Sequence, residues 1–288
     1  MLPFTGPAMP EPGIYTDMSA EDYHAVAALS KSRMDALHKS PAHLLAYLQE
    51  PREETAAMIL GTLTHTLAME PELYPLRFRA FDDIRRNNKA GKAACEEAEA
   101  AHVTPITQET LAQAEAMAKA LRSHPVAAGA FAAPGALFEV SVFWEEVVDG
   151  LTIPCKARLD CLHRDLPGFG CMIVDLKKTR DASPAFMKRH MFDFRYHVQA
   201  AWYRRAIYMA EGLSSQGFYL FCVEDCPPYL PGLYRVTEGA QVQALREIKG
   251  DMETLAACVK SGEWPGYPAE IVDLDLPAWV YNKPKEAA

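Results

Sequence analysis

The 288 residues are 49% hydrophobic and 23% charged, enough apolar material to bury a full core in one large domain or two small ones. No stretch of about 18 or more uncharged apolar residues occurs, which argues against a chain that spans a membrane. The net charge of −9 speaks only mildly against a nucleic-acid binder, because such a protein needs no more than a local basic groove.

Met1 to Pro12 carries several prolines and no basic cluster ahead of an apolar run, so it reads as an extended arm rather than a secretory signal. The run SKSRMDALHKSPAHLLAYLQ, Ser30 to Gln49, opens on Ser30 and Ser32 as candidate N-caps, and Pro41 restarts a second short helix. Glu54 to Met69 reads as a longer helix with His65 near its middle. From Leu76 to Ala101 the chain turns basic and then helical, and Thr107 to Ser123 forms another amphipathic helix.

At Ala136 the period changes to two. Leu137–Glu146, Thr152–His163 and Cys171–Lys178 are predicted strands, with Pro167, Gly168 and Gly170 turning the chain between the last two. One long helix is predicted over Pro184–Glu211, a fourth strand over Gly217–Val223, a fifth over Leu233–Val236 and a final helix over Gln241–Ser261. The fold expected is α/β (α+β): a helical N-terminal part (1–135), a central mixed sheet and helix (136–225), and a C-terminal strand, helix and tail (226–288), all in one domain.

Seven cysteines, Cys95, Cys155, Cys161, Cys171, Cys222, Cys226 and Cys258, are odd in number and scattered through apolar stretches. They read as free thiols in a reducing, cytoplasmic compartment. Cys222 and Cys226 without a second pair are a weak metal signal, and packing is the expected role.

The chemistry concentrates at Asp160 and at Asp175-Leu176-Lys177. Side chains alternate along a strand, so Asp175 and Lys177 share a face while Leu176 points to the core. The turn after Asp160 brings it back beside Asp175, fifteen positions on. Two clustered carboxylates suggest a hard-cation site, and magnesium suits a phosphate substrate. A lysine there would position or polarise water and stabilise charge gathering on phosphate. The bland reading of the same acids is a structural ion pair with Lys156, Arg158 or Lys177.

RLDCL followed by IVDLKKT resembles the signature of the PDDEXK nuclease superfamily. GTLTHTL resembles the G-x-x-x-H helix of its exonuclease VIII (RecE), RecB and lambda-exonuclease branch, FEVSVFW the strand before the first aspartate, and YHVQAAWY the Q-x-x-x-Y helix after the lysine strand. LSKSRMDALHKSPAHL and WPGYPAEIVDLDLPAWV are similar to exonuclease VIII-type proteins in particular.

The resemblance implies a restriction-endonuclease-like core. Its metal ligands would be His65, Glu139, Asp160, Asp175 and the Leu176 carbonyl, holding one or two Mg²⁺ or Mn²⁺ ions, and Lys177, Gln199 and Tyr203 would complete the catalytic set. It implies 5′ to 3′ digestion of linear double-stranded DNA from its ends, leaving 3′ single strands for a RecT-like annealing partner in phage or prophage recombination. A ring-shaped homo-oligomer, trimer or tetramer, is implied too. The cysteines do not match the iron–sulfur set of some relatives, so no cluster is expected, and without the long N-terminal extension of the bacterial protein the chain would be a stand-alone nuclease domain.

Arg85, Arg86, Lys89, Lys92 and Lys178 are candidate DNA contacts, with a solvated helix face as the bland alternative for the first four. Lys188, Arg189, Arg195, Arg204 and Arg205 add basic charge further along. Glu145 and Glu146 compete with Glu139 for the role of strand acid. The rival functions are a structure-specific or restriction-like endonuclease on the same core and a catalytically silent DNA-end-binding protein.

Overall fold

A computed structural model describes residues 1–50, 54–85 and 87–276 of the chain. The strands are β1 (Gly13–Tyr15), β2 (Phe78–Phe81), β3 (Thr104–Thr107), β4 (Leu137–Val148), β5 (Leu151–Leu166), β6 (Gly170–Thr179), β7 (Gly217–Glu224) and β8 (Pro231–Arg235). The helices are α1 (Ala20–Ala25), α2 (Lys31–Lys39), α3 (Pro41–Gln49), α4 (Ala56–Met69), α5 (Tyr74–Arg77), α6 (Lys89–Ala100), α7 (Gln108–Ser123), α8 (Pro125–Ala132), α9 (Pro184–Asp193), α10 (Tyr196–Glu211) and α11 (Glu238–Ser261). None of the described helices is long and apolar enough to cross a membrane.

Local chemistry sets the boundaries. Ser30 caps α2 by accepting from the Arg33 amide, whereas Ser32 lies inside the helix. Ser40 ends α2 and caps α3, with Pro41 at the first helical position, where a missing N–H costs nothing. Asp149 and Gly150 join β4 to β5 in a two-residue turn with both φ angles positive, 50° and 78°, the geometry whose twist matches a hairpin.

Six strands form a mixed sheet in the order β1-β4-β5-β6-β7-β8. Neighbours are antiparallel except β6 and β7, which run parallel because α9 and α10 carry the chain over one face. On that face Leu29, Met34, Trp144, Trp202, Phe218 and Leu255 build the larger core beneath α2, α10 and α11. On the opposite face Leu63, Met117, Leu121, Leu176 and Phe221 build a second core beneath α4, α7 and α8. The expected central mixed sheet flanked by helices is therefore observed.

The structure departs from the sequence reading in several places, the unpredicted short helices α1 and α8 among them. The single helix over Pro184–Glu211 is two, because Arg195 sits in the left-handed region at φ 52° and turns the chain between α9 and α10. The extended arm leads into β1, which pairs with β4 at the sheet edge. Strands β2 and β3, in stretches without clear alternation, form a separate parallel pair.

Candidate active site

Strand β6 alternates regularly. Met172, Val174 and Leu176 enter the core beneath α4, while Cys171 and Ile173 enter the core beneath α10. Asp175 and Lys177 therefore face α10, as period two requires. Asp175 is 0% exposed. Its Oδ1 accepts from Gln199 Nε2 at 2.6 Å, and its Oδ2 has Lys177 Nζ at 2.5 Å. The ammonium is close but off the direction of a hydrogen bond, so Oδ2 is a buried acceptor without one. Tyr203, one turn beyond Gln199, packs edge-on against Phe218 at 6.0 Å.

The neighbouring strands bring two more carboxylates into line. Phe138 pairs with Cys161 and Val140 with Leu159, which sets Glu139 opposite Asp160. Cys161 pairs with Val174, so Asp160 stands opposite Asp175 one step on, where the β5–β6 ladder ends. Beyond that point the Leu176 amide donates to Asp160 Oδ2 at 2.8 Å. The carboxylate takes over an N–H that strand pairing leaves unmet.

The alternation slips at this row. Phe138 packs on the α4 side but Val140 on the α10 side, and Cys161 on the α4 side but Leu159 on the α10 side. Residues two apart share a face in a regular strand, so both strands change parity at the acids. Glu139 adopts φ 50°, a conformation that costs a non-glycine residue roughly 1–3 kcal/mol and clusters at functional sites.

His65 reaches the row from α4. Its Nδ1 lies 3.7 Å from Asp160 Oδ2 and 4.0 Å from Glu139 Oε1, while Nε2 hydrogen-bonds the Leu176 carbonyl at 2.9 Å. With Nε2 protonated, the Nδ1 lone pair faces the acids, the orientation in which a histidine ligates while its other nitrogen donates to backbone. One ligand atom each from His65, Glu139 and Asp160 lies within 4.8 Å of the other two. Carboxylate oxygens and one imidazole at that spacing, with the Asp175 carboxylate on the next strand, fit a hard divalent cation such as Mg²⁺ or Mn²⁺. Asp175 stands outside that three-residue cluster, and the Leu176 carbonyl is engaged by His65.

Burial, then the charge of Asp175, pushes the Asp160 carboxyl up to about 7; His65 and Lys177 pull the other way, and Glu139 adds to the rise. Burial works against a charged Lys177, but Asp175 and Asp160 outweigh it and hold the amine above the ordinary lysine range. Burial, then Asp175, holds the Tyr203 hydroxyl well above the ordinary tyrosine range. Lys177 is thus a charged donor rather than a base.

The rival ion pairs resolve residue by residue. Lys177 pairs with Asp175, but Arg158 pairs with Glu139 at 3.0 Å and Lys156 donates to the Tyr23, His24 and Val26 carbonyls. Glu146 is taken by Arg205 and Glu145 is exposed, which leaves Glu139 as the strand acid at the row. The Arg158 contact was not foreseen, although Arg158 lies two positions before Asp160 in RLD. Tyr196 and Lys31 were also missed: Lys177 Nζ lies 5.3 Å and Lys31 Nζ 5.9 Å from the Tyr196 ring centroid.

Of the candidate DNA contacts, Arg85 is paired with Asp83 at 2.7 Å, and Lys89 and Lys92 are exposed on α6. Arg86 lies outside the described residues. Lys178 pairs with Asp225 at 3.1 Å. Arg195 and Arg205 are committed to the buried acids Asp251 and Glu146, and Arg204 pairs with the exposed Glu238, a correction to reading all three as added basic charge. Six of the seven cysteines are buried, Cys222 among them, while Cys226 is exposed.

No curated protein matches the sequence. Among solved structures, one titled “Putative exonuclease”, from Eubacterium rectale, superposes with a TM-score of 0.59 at 15% identity, covering 95% of this chain and 96% of its own. That likeness speaks for the fold. A second, SSO0001, is 14% identical over 68% of this chain and 85% of its own, at a TM-score of 0.31 that carries no argument. Residues 30–274 match the family described as a PDDEXK-like domain of unknown function (DUF3799), a span that includes every acid of the row, His65 and Lys177. The chain belongs to that PDDEXK-like family.

Proposed function

We propose that the protein is a divalent-metal-dependent deoxyribonuclease that hydrolyses a DNA phosphodiester by in-line attack of water. The observation that carries this reading is the row Glu139–Asp160–Asp175 across three strands, with His65 at one end and Lys177 at the other. Glu139, Asp160 and His65 would hold the ion, with Asp175 beside them. When bound, it supplies Lewis acidity that draws electron density from a phosphate oxygen and makes water more acidic.

The chain's own groups do the rest. Gln199 fixes the Asp175 carboxylate, and Asp175 fixes the Lys177 ammonium. Held charged by its neighbours, Lys177 orients the attacking water by hydrogen bonding and stabilises the charge that builds on the phosphate. Arg158 anchors Glu139 and donates to the Ser141 hydroxyl at 2.6 Å, which keeps the left-handed turn in place.

The finer reading follows the family resemblance: 5′ to 3′ digestion of linear duplex DNA from its ends, delivery of 3′ overhangs to a RecT-like annealing protein, and a ring of three or four copies. End-labelled linear and covalently closed circular duplexes, incubated with Mg²⁺ and with EDTA, test it. An exonuclease releases 5′ label early from the linear DNA only with Mg²⁺ and spares the circle. Nicking of the circle would favour an endonuclease, and binding of ends without hydrolysis would favour a silent end-binder.

A further inference from the structure

A cluster of rings lies beside Lys177, with His190 packed edge-on against Tyr196 at 5.7 Å as well as against Phe194. Tyr196 carries the Lys177 and Lys31 ammoniums near its ring. Phe194 lies nearly parallel to Tyr196, with centroids 5.9 Å apart and planes at 27°. His190 follows at 4.2 Å from Phe194, and Phe186 stacks on His190 at 5.1 Å and 26°. The inner ring is buried, Tyr196 being 9% exposed, whereas Phe194 is 53% exposed.

Phe194 is not on a loose loop. It precedes the left-handed Arg195, whose guanidinium is held by Asp35, Glu247 and Asp251 at 3.2, 3.4 and 2.7 Å. Lys31, itself paired with Asp35, donates to the Phe194 carbonyl at 2.7 Å. The largely buried Arg195 cluster and the half-buried Lys31 pair, joined through Asp35, therefore fix the backbone of a ring that faces water. Lys188 and Arg189 are both exposed on α9, the helix that carries Phe186 and His190, with Arg189 three residues after Phe186 and its Nε 3.5 Å from Asp193.

We propose that Phe194, backed by Tyr196, His190 and Phe186, forms a stacking track for an unpaired base of a nucleic-acid strand whose phosphate lies at Lys177, an inference that rests on the nuclease reading. Nucleobases stack on aromatic faces whatever their sequence, and a charged groove beside the rings carries the backbone. The two ammoniums at the inner end favour an anionic chain over an apolar peptide. A duplex end would have to open for its strand to follow this path, so the track selects single strands and frayed ends.

A short single-stranded oligonucleotide carrying 2-aminopurine, mixed with the full chain at low salt in EDTA, tests the track. Stacking quenches the probe in the wild-type protein. Phe194→Ala should abolish the quench and weaken binding by about tenfold, the scale of one lost base stack, and Phe194→Trp should restore both. Tyr208→Ala removes an exposed ring outside the cluster and should match the wild type. Unchanged quenching and affinity in Phe194→Ala, or an equal loss in Tyr208→Ala, overturns the proposal. Hydrolysis with Mg²⁺ is scored separately. Quenching without hydrolysis leaves the track standing and removes the nuclease reading, while hydrolysis with a silent Phe194→Ala does the reverse.

Discussion

Asp175 is fully buried, so each of its oxygens depends on a donor inside the protein, and Gln199 supplies one of them at 2.6 Å. Gln199→Leu keeps the volume and removes the donor. It should cost about 1–3 kcal/mol of stability in urea denaturation, the penalty of an unmet buried acceptor. DNA hydrolysis should fall roughly 10–100-fold, the usual effect of losing a group that orients a ligand. Asp160 gives a pH test. Its folded carboxyl, pushed up to about 7, binds a proton more tightly than the unfolded chain does. The stability this adds is full at acid pH and is lost as pH rises through about 7. A divalent ion binds the deprotonated form, so Mg²⁺ should raise the melting temperature more at pH 8 than at pH 6, and Asp160→Asn should abolish that difference. Asp160, Asp175 and Lys177 were readable because period two and one turn determine which residues meet. His65 came only through the family resemblance, since a lone helical histidine carries no address. The positive φ of Glu139 has no signature in its own residue type.

At the scale of elements, strands and long amphipathic helices were legible because their period repeats, and the junctions were less so. Nothing in FDFRYH marks a break, because the break depends on acids far away in sequence: Asp35 on α2 and Glu247 and Asp251 on α11. Strands β2 and β3 were hidden for a similar reason, being four residues each and stabilised by pairing rather than pattern. Arg195 makes the dependence measurable. Its side chain is 11% exposed and that of Asp251 9%, so Arg195→Ala leaves the buried Asp251 to His38 alone and should cost about 2–3 kcal/mol, below the full cost of an uncompensated buried charge. Arg195→Gly loses the same ion pairs but relaxes the left-handed backbone, and should be the milder change by about 1 kcal/mol. Equal urea midpoints for the two variants would show that the turn stores no strain.

The charge balance of the whole molecule sets how it can hold DNA. A net charge of −9 opposes approach over about 10 Å at 0.1 M salt. Three of the seven arginines that follow β6 are held by acids of the protein itself: Arg195 by three, Arg204 by Glu238, and Arg205 by Glu146. Lys178 is held by Asp225. The cations near the proposed strand path are then Lys31, Lys177, Lys188 and Arg189. Each phosphate neutralised contributes roughly −0.7 to −0.9 to the slope of log affinity against log salt, so four at most predict a slope of about −3. Affinity should thus fall on the order of 10²-fold between 50 and 200 mM NaCl, measured by fluorescence anisotropy in EDTA so that the DNA stays intact. The shallow slope follows from a binding mode in which ring stacking and a few ammoniums share the work. A slope near −8 would mean that phosphates also reach exposed cations away from this path, such as Arg180, Lys89 and Lys92, because the buried position of Arg195 and Asp251 opposes an exchange of that ion pair for phosphate.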